Sequence, residues 1–133
     1  MNIVDVEGIG PVYGEKLEAV GVKTTDDLLQ RGATQKGREE LEAASDIGRV
    51  LILKWVNRVD LYRIDGVGSE YSDLLEVAGV DTIPELSYRN AENLTQTMAE
   101  ANAARNLVRR LPTLEMVTDW IEQAKKLPRV VEY

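Results

Sequence analysis

The 133 residues, 44% hydrophobic and 29% charged, suit one ordinary soluble domain or two small units that bury surface together. Histidine and cysteine are both absent, which excludes disulfides, thiol nucleophiles, imidazole bases and the usual zinc, haem and iron–sulfur sites. The formal net charge of −7 is spread in blocks: −4 over residues 1–30, +2 over 31–63, −7 over 64–102 and +2 over 103–133.

The opening Met1-Asn2-Ile3-Val4-Asp5 has neither the basic start nor the apolar stretch of a secretory signal. The longest apolar runs, such as Val50-Leu51-Ile52-Leu53, are far too short for a membrane span. A cytoplasmic protein with no membrane partner is expected, and no residue pattern implies a small-molecule substrate.

In chain order, a glycine turn at Val6-Glu7-Gly8-Ile9-Gly10 opens onto a helix bearing Tyr13 and Leu17. Thr24, Thr34 and Ser45 then read as N-caps of successive helices, because short hydroxyl side chains accept from the free amides of a first turn. The last helix of this half buries Leu51, Ile52, Trp55, Val56 and Val59. A second glycine turn, Ile64-Asp65-Gly66-Val67-Gly68, leads into a helix with Tyr71, Leu74, Leu75 and Ala78 at i, i+3, i+4 and i+7. Gly79 stops that helix by accepting the left-handed conformation. Thr82 with Glu85 reads as a capping box, with Pro84 tolerated in the first turn. Asn90 caps the next helix, which buries Leu94 and Met98. Thr113 opens the last, with Leu114, Val117, Ile121 and Ala124 on one face and Pro128 beyond its end. No alternating strand pattern occurs, so the fold class is all-α, with about four helices per half.

The halves are copies. Shifted by 58 residues, nine of the 24 positions from 6 to 29 are identical, including Gly8 with Gly66, Gly10 with Gly68, Tyr13 with Tyr71 and Leu17 with Leu75. Trp55 pairs with Trp120 at an offset of 65, so the second copy has a middle seven residues longer. Two units are expected, residues 1–59 and 60–133, each of a size that would struggle to bury a core alone.

An apolar residue, two positions containing Gly, Gly-x-Gly, then a helix with an aromatic and a leucine four apart resembles a helix-hairpin-helix. Lys36-Gly37-Arg38, Leu53-Lys54-Trp55-Val56-Asn57-Arg58, Asp60-Leu61-Tyr62-Arg63-Ile64 and the stretch from Trp120 to Pro128 extend the likeness. Together they resemble an uncharacterised bacterial family of tandem helix-hairpin-helix proteins, over residues 6 to 128. The resemblance implies a SAM-like helical fold and sequence-independent binding of a DNA backbone by amides at the N-terminus of the second hairpin helix. Gly8, Gly10, Val12 and Lys16 in the first copy and Gly66, Gly68, Ser69 and Glu70 in the second would carry that contact. Hairpin carbonyls hold a monovalent cation in some such families; no other cofactor is implied.

The residues also support a second reading. Pro11 deletes one amide, Glu70 and Asp73 set carboxylates beside the second turn, and both turns lie in acidic blocks. Acidic turn faces would suit a protein–protein adaptor. The basic groups Arg31 with Lys36-Gly37-Arg38, and Arg105 with Arg109-Arg110, suit either a backbone grip or solvated faces and internal partners. An enzyme is not expected. Asp81 lies 13 residues beyond Gly68, too close for the catalytic aspartate of helix-hairpin-helix glycosylases, and no lysine nucleophile accompanies it. Trp55, Trp120, Tyr13 and Tyr71 are expected to pack in the core rather than stack on bases.

Overall fold

The computed structural model describes residues 1–133 as a wholly helical chain. A short 3-10 helix, Ile3–Asp5, precedes α1 (Gly10–Ala19), α2 (Thr25–Gly32), α3 (Gln35–Ser45) and α4 (Arg49–Leu61). Then come α5 (Ser69–Val77), α6 (Ile83–Tyr88), α7 (Ala91–Arg105) and α8 (Leu114–Lys126). The one strand-like pairing is a single antiparallel bridge between Asn2 and Thr24. No helix is long and apolar enough to cross a membrane.

Local sequence sets most helix starts. The Thr24 hydroxyl accepts the Asp27 N–H at 3.1 Å while the Asp27 carboxylate accepts the Thr24 N–H at 3.1 Å, a complete capping box. Thr34, Thr82, Asn90 and Thr113 accept from the N–H groups of Gly37, Glu85, Asn93 and Met116, but the box expected at Thr82 is not completed, because the Glu85 carboxylate accepts the Thr82 hydroxyl rather than its N–H. The ends of α3 and α7 are closed by Asp46 and Asn106 in the left-handed region, at φ 61° and 52°, a conformation that short polar side chains tolerate.

Two further expectations are corrected. Ser45 does not cap α4: it is the last residue of α3, and its hydroxyl donates back to the Leu41 carbonyl at 2.6 Å. The left-handed turn at Asp46 follows it, so α4 cannot start before Arg49. Leu114 is the first residue of α8 and 46% exposed; Met116 is the first of the helix to pack against the core, and the fully buried face begins at Val117.

The chain forms two compact units, one of Met1–Asp60 with Arg129–Tyr133, the other of Leu61–Pro128. In the first, the 3-10 helix and α3 pack against α1, and α2 packs against α3. Ile3, Leu17, Val22, Leu28, Leu41, Ile52 and Val56 are fully buried there. A Cβ on Gly14 would run into the Val4 side chain, so the small residue in α1 lets the 3-10 helix approach. The last residues return to this unit. The Glu132 N–H donates to the Ala33 carbonyl at 2.7 Å, and the Gln35 side-chain amide donates to the Tyr133 carbonyl at 3.1 Å. Arg38, 5% exposed, donates to the carbonyls of Gly32, Ala33 and Glu132, which satisfies a buried charge without a carboxylate.

In the second unit α6 and α7 pack on α8, and α5 packs on α7. Its core joins Ile64, Val67, Leu74, Leu75, Val80 and Leu86 to Leu94, Met98, Val117, Trp120 and Ile121. Each fully buried leucine of this kind contributes roughly 1.5–3 kcal/mol. One arrangement recurs in both units. Arg31 donates to the Val20 carbonyl and Arg89 to the Ala78 carbonyl, the C-terminal ends of α1 and α5. These arginines stand 58 residues apart, as do the carbonyls they cap. The duplication therefore extends to the side chains that close the helix ends.

Candidate functional site

Each glycine turn is a tight backbone reversal. In the first, the Val6 N–H donates to the Ile3 carbonyl and the Ile9 N–H to the Val6 carbonyl. In the second, Ile64 donates to Leu61 and Val67 to Ile64, both at 3.1 Å. Gly8 and Gly66 take φ values of 89° and 95°, which residues with a Cβ rarely adopt. Under each glycine lies the tryptophan of the same unit. A Cβ on Gly8 would stand 3.7 Å from Trp55 Nε1, and one on Gly66 3.1 Å from Trp120 Nε1. The tryptophans pack in turn against Tyr13 and Tyr71, with ring centroids 5.1 and 5.2 Å apart and planes at 61° and 53°. Both indoles are buried. Each turn thus rests on a tyrosine–tryptophan pair, a relation that the equivalence of Trp55 and Trp120 hinted at without identifying its purpose.

The two turns diverge where the helix starts. Gly10 has φ 64° and is the first residue of α1, after Ile9. Gly68 has φ −110° and is the N-cap of α5. Neither helix has a side chain capping its first amides. Pro11 in the first turn of α1 removes one donor, whereas Ser69, Glu70 and Tyr71 keep all of theirs.

The eight residues singled out from sequence fall as follows. Gly8, Gly66 and Gly68 are exposed in the turns and Gly10 is half-buried. Val12 is 69% exposed at the start of α1. Ser69 opens α5 with its hydroxyl 3.4 Å from that of Tyr62, and Glu70 is exposed beside it. Lys16 is exposed in the last turn of α1, six residues beyond Gly10 and so roughly 9 Å along the helix axis. The structure does not bring it to the turn amides. A shallow depression of about 500 Å³ runs over residues 4–13.

Contacts that sequence did not announce hold the second turn. Gln123 on α8 clamps Asp65, accepting its N–H at 2.8 Å and donating to its carbonyl at 3.2 Å. The Tyr71 hydroxyl donates to the Arg110 carbonyl at 3.0 Å, which ties the loop before α8 to the first turn of α5. Of the first basic group, Arg31 and Arg38 are engaged with carbonyls of their own unit, as described above. The Asp27 carboxylate is held below its ordinary pKa, because the Lys23 and Thr24 N–H groups donate to it and the Thr24 hydroxyl and Lys23 charge assist.

No group of three or more acidic side chains converges as a metal site. No curated protein and no solved structure is significantly similar to the chain. Residues 7–127 match the model of a family described as a domain of unknown function, DUF4332, and the chain belongs to that family.

Proposed function

We propose that the two glycine turns are helix-hairpin-helix elements and that the protein is a non-enzymatic, cytoplasmic module that binds the sugar–phosphate backbone of nucleic acid without reading sequence. The observation that carries this reading is the repetition of one construction. Two exposed glycine turns, each braced by a buried tryptophan, open onto a helix whose first amides no side chain caps. Such an end offers free N–H donors and the positive end of the helix dipole to an anion. The second turn is the stronger of the two, since no proline interrupts its amides.

Fluorescence anisotropy of labelled single- and double-stranded DNA, titrated with the protein across a salt series, tests this. Binding at micromolar concentration or tighter in low salt is expected, weakening as salt rises with a slope of about −0.9 per phosphate contacted on duplex. No binding in low salt would overturn it.

A second reading is favoured by the surface of the first turn. Val12 is 69% exposed beside a shallow apolar-lined depression, and Asp5 and Glu7 flank it. That surface suits a basic and apolar segment of a protein partner. The adaptor reading expects no DNA binding at moderate salt and retention of a basic partner that depends on the acids of the turns.

A further inference from the structure

Arginine's planar fork of donors suits bidentate contact with phosphate, and the chain has ten. Seven are engaged internally. Arg31, Arg38, Arg63 and Arg89 donate to backbone carbonyls, and Arg49 pairs with Glu39 and Glu42. Arg129 bonds the Val131 carbonyl, and Arg58 also has a partner. The remaining three, Arg105, Arg109 and Arg110, lie within six residues of one another, and all are exposed without a side-chain partner.

The segment that bears them is fixed at several points. Asn106 closes α7 in the left-handed conformation. The Asn102 side chain then grips Val108 from both sides, donating to its carbonyl at 3.1 Å and accepting its N–H at 2.9 Å. Val108 and Pro112 are buried, and the Tyr71 hydroxyl holds the Arg110 carbonyl. The backbone of Arg109 and Arg110 is therefore ordered in advance, which lowers the entropic cost of engaging a ligand. The Tyr71 bond also sets this backbone within one tyrosine side chain of the first turn of α5.

We propose that Arg105, Arg109 and Arg110 form the cationic contact for the nucleic-acid backbone, each guanidinium taking a phosphate. The inference rests on the nucleic-acid reading above and goes beyond it, because it moves the electrostatic contact from the turns to the last residue of α7 and the loop that follows. The tether to α5 favours nucleic acid over an acidic protein surface: one phosphate chain can meet the loop and the uncapped amides together.

The test compares salt dependence of duplex DNA binding for wild type, for R105Q/R109Q/R110Q and for K23Q/R49Q/K125Q. The second variant removes the same charge from cations that already have acidic neighbours, Asp27, Glu39 with Glu42, and Glu122. Circular dichroism confirms that each folds. The first variant is expected to bind at least about tenfold more weakly in low salt, its log–log salt slope shallower by about two to three, with the control near wild type. If wild type binds DNA and the two variants weaken equally, or the slope is unchanged, the loop is not the contact and the nucleic-acid reading alone survives. If wild type binds no DNA in low salt, or binds a glutamate-rich peptide instead, both fall.

Discussion

Gly66 and Gly68 are two residues apart and face different constraints. Gly66 sits at φ 95° with Trp120 Nε1 only 3.1 Å from where a Cβ would stand. Gly68 sits at φ −110°, which any residue adopts, with nothing within 4 Å of that point. Gly66→Ala is therefore expected to cost roughly 1–2 kcal/mol or more, from the left-handed backbone and the crowding of the indole. Gly68→Ala is expected to change stability by less than about 0.5 kcal/mol. Urea unfolding followed by tryptophan fluorescence measures both, and equal losses would contradict the account. The glycine pattern was plain in the sequence, but the assignment of a distinct task to each glycine was not. Gly10 and Gly68 occupy the same place in the repeat, yet one has φ 64° at the first residue of α1 and the other φ −110° as the N-cap of α5, a difference that no residue pattern announced.

At the scale of the element, the sequence was most informative where a side chain bonds within its own turn. Thr24, Thr34, Thr82, Asn90 and Thr113 each cap the helix expected of them, since that choice is settled within four residues. Ser45 has the same chemistry and bonds backwards to Leu41, an alternative that every serine near a helix end has and that only the following backbone decides. The return of Glu132 and Tyr133 to α3 was illegible because the Gln35 and Arg38 side chains donate to main-chain carbonyls more than ninety positions away, and a carbonyl carries no residue signature.

The box that starts α2 makes a pH-dependent contribution. Amide donors hold the folded Asp27 below its ordinary pKa. Its stabilisation is thus fully present above the unfolded-state pKa and is lost as the pH falls through the folded-state value. Asp27→Asn is expected to be less stable than wild type at neutral pH, with the difference shrinking toward zero at about pH 2. Urea unfolding at the two pH values decides this, and a gap of equal size at both would show that the carboxylate charge plays no part.

For the whole molecule, the net charge of −7 opposes the approach of a polyanion at long range. Nucleic-acid binding must then come from local groups that act inside the screening length, roughly 10 Å at about 0.1 M salt. The structure offers two such groups, the uncapped amides of α1 and α5 and the three unpartnered arginines at the end of α7 and in the loop after it. The sequence displayed both basic blocks with equal weight. The fold distinguishes their arginines, because the carbonyls of Val20, Gly32, Ala33 and Glu132 take up Arg31 and Arg38, leaving Lys36 alone there, while Arg105, Arg109 and Arg110 stay free. That distinction depends on three-dimensional partners, which block charges cannot reveal.

Contact between the turn amides and phosphate is read directly by amide-resolved NMR. With ¹⁵N-labelled protein and a short unlabelled oligonucleotide in low salt, the largest shifts are expected at the amides of Gly68, Ser69, Glu70 and Tyr71, with smaller ones at Val12 and Tyr13. A titration to saturating oligonucleotide that leaves these six amides unmoved would contradict the account.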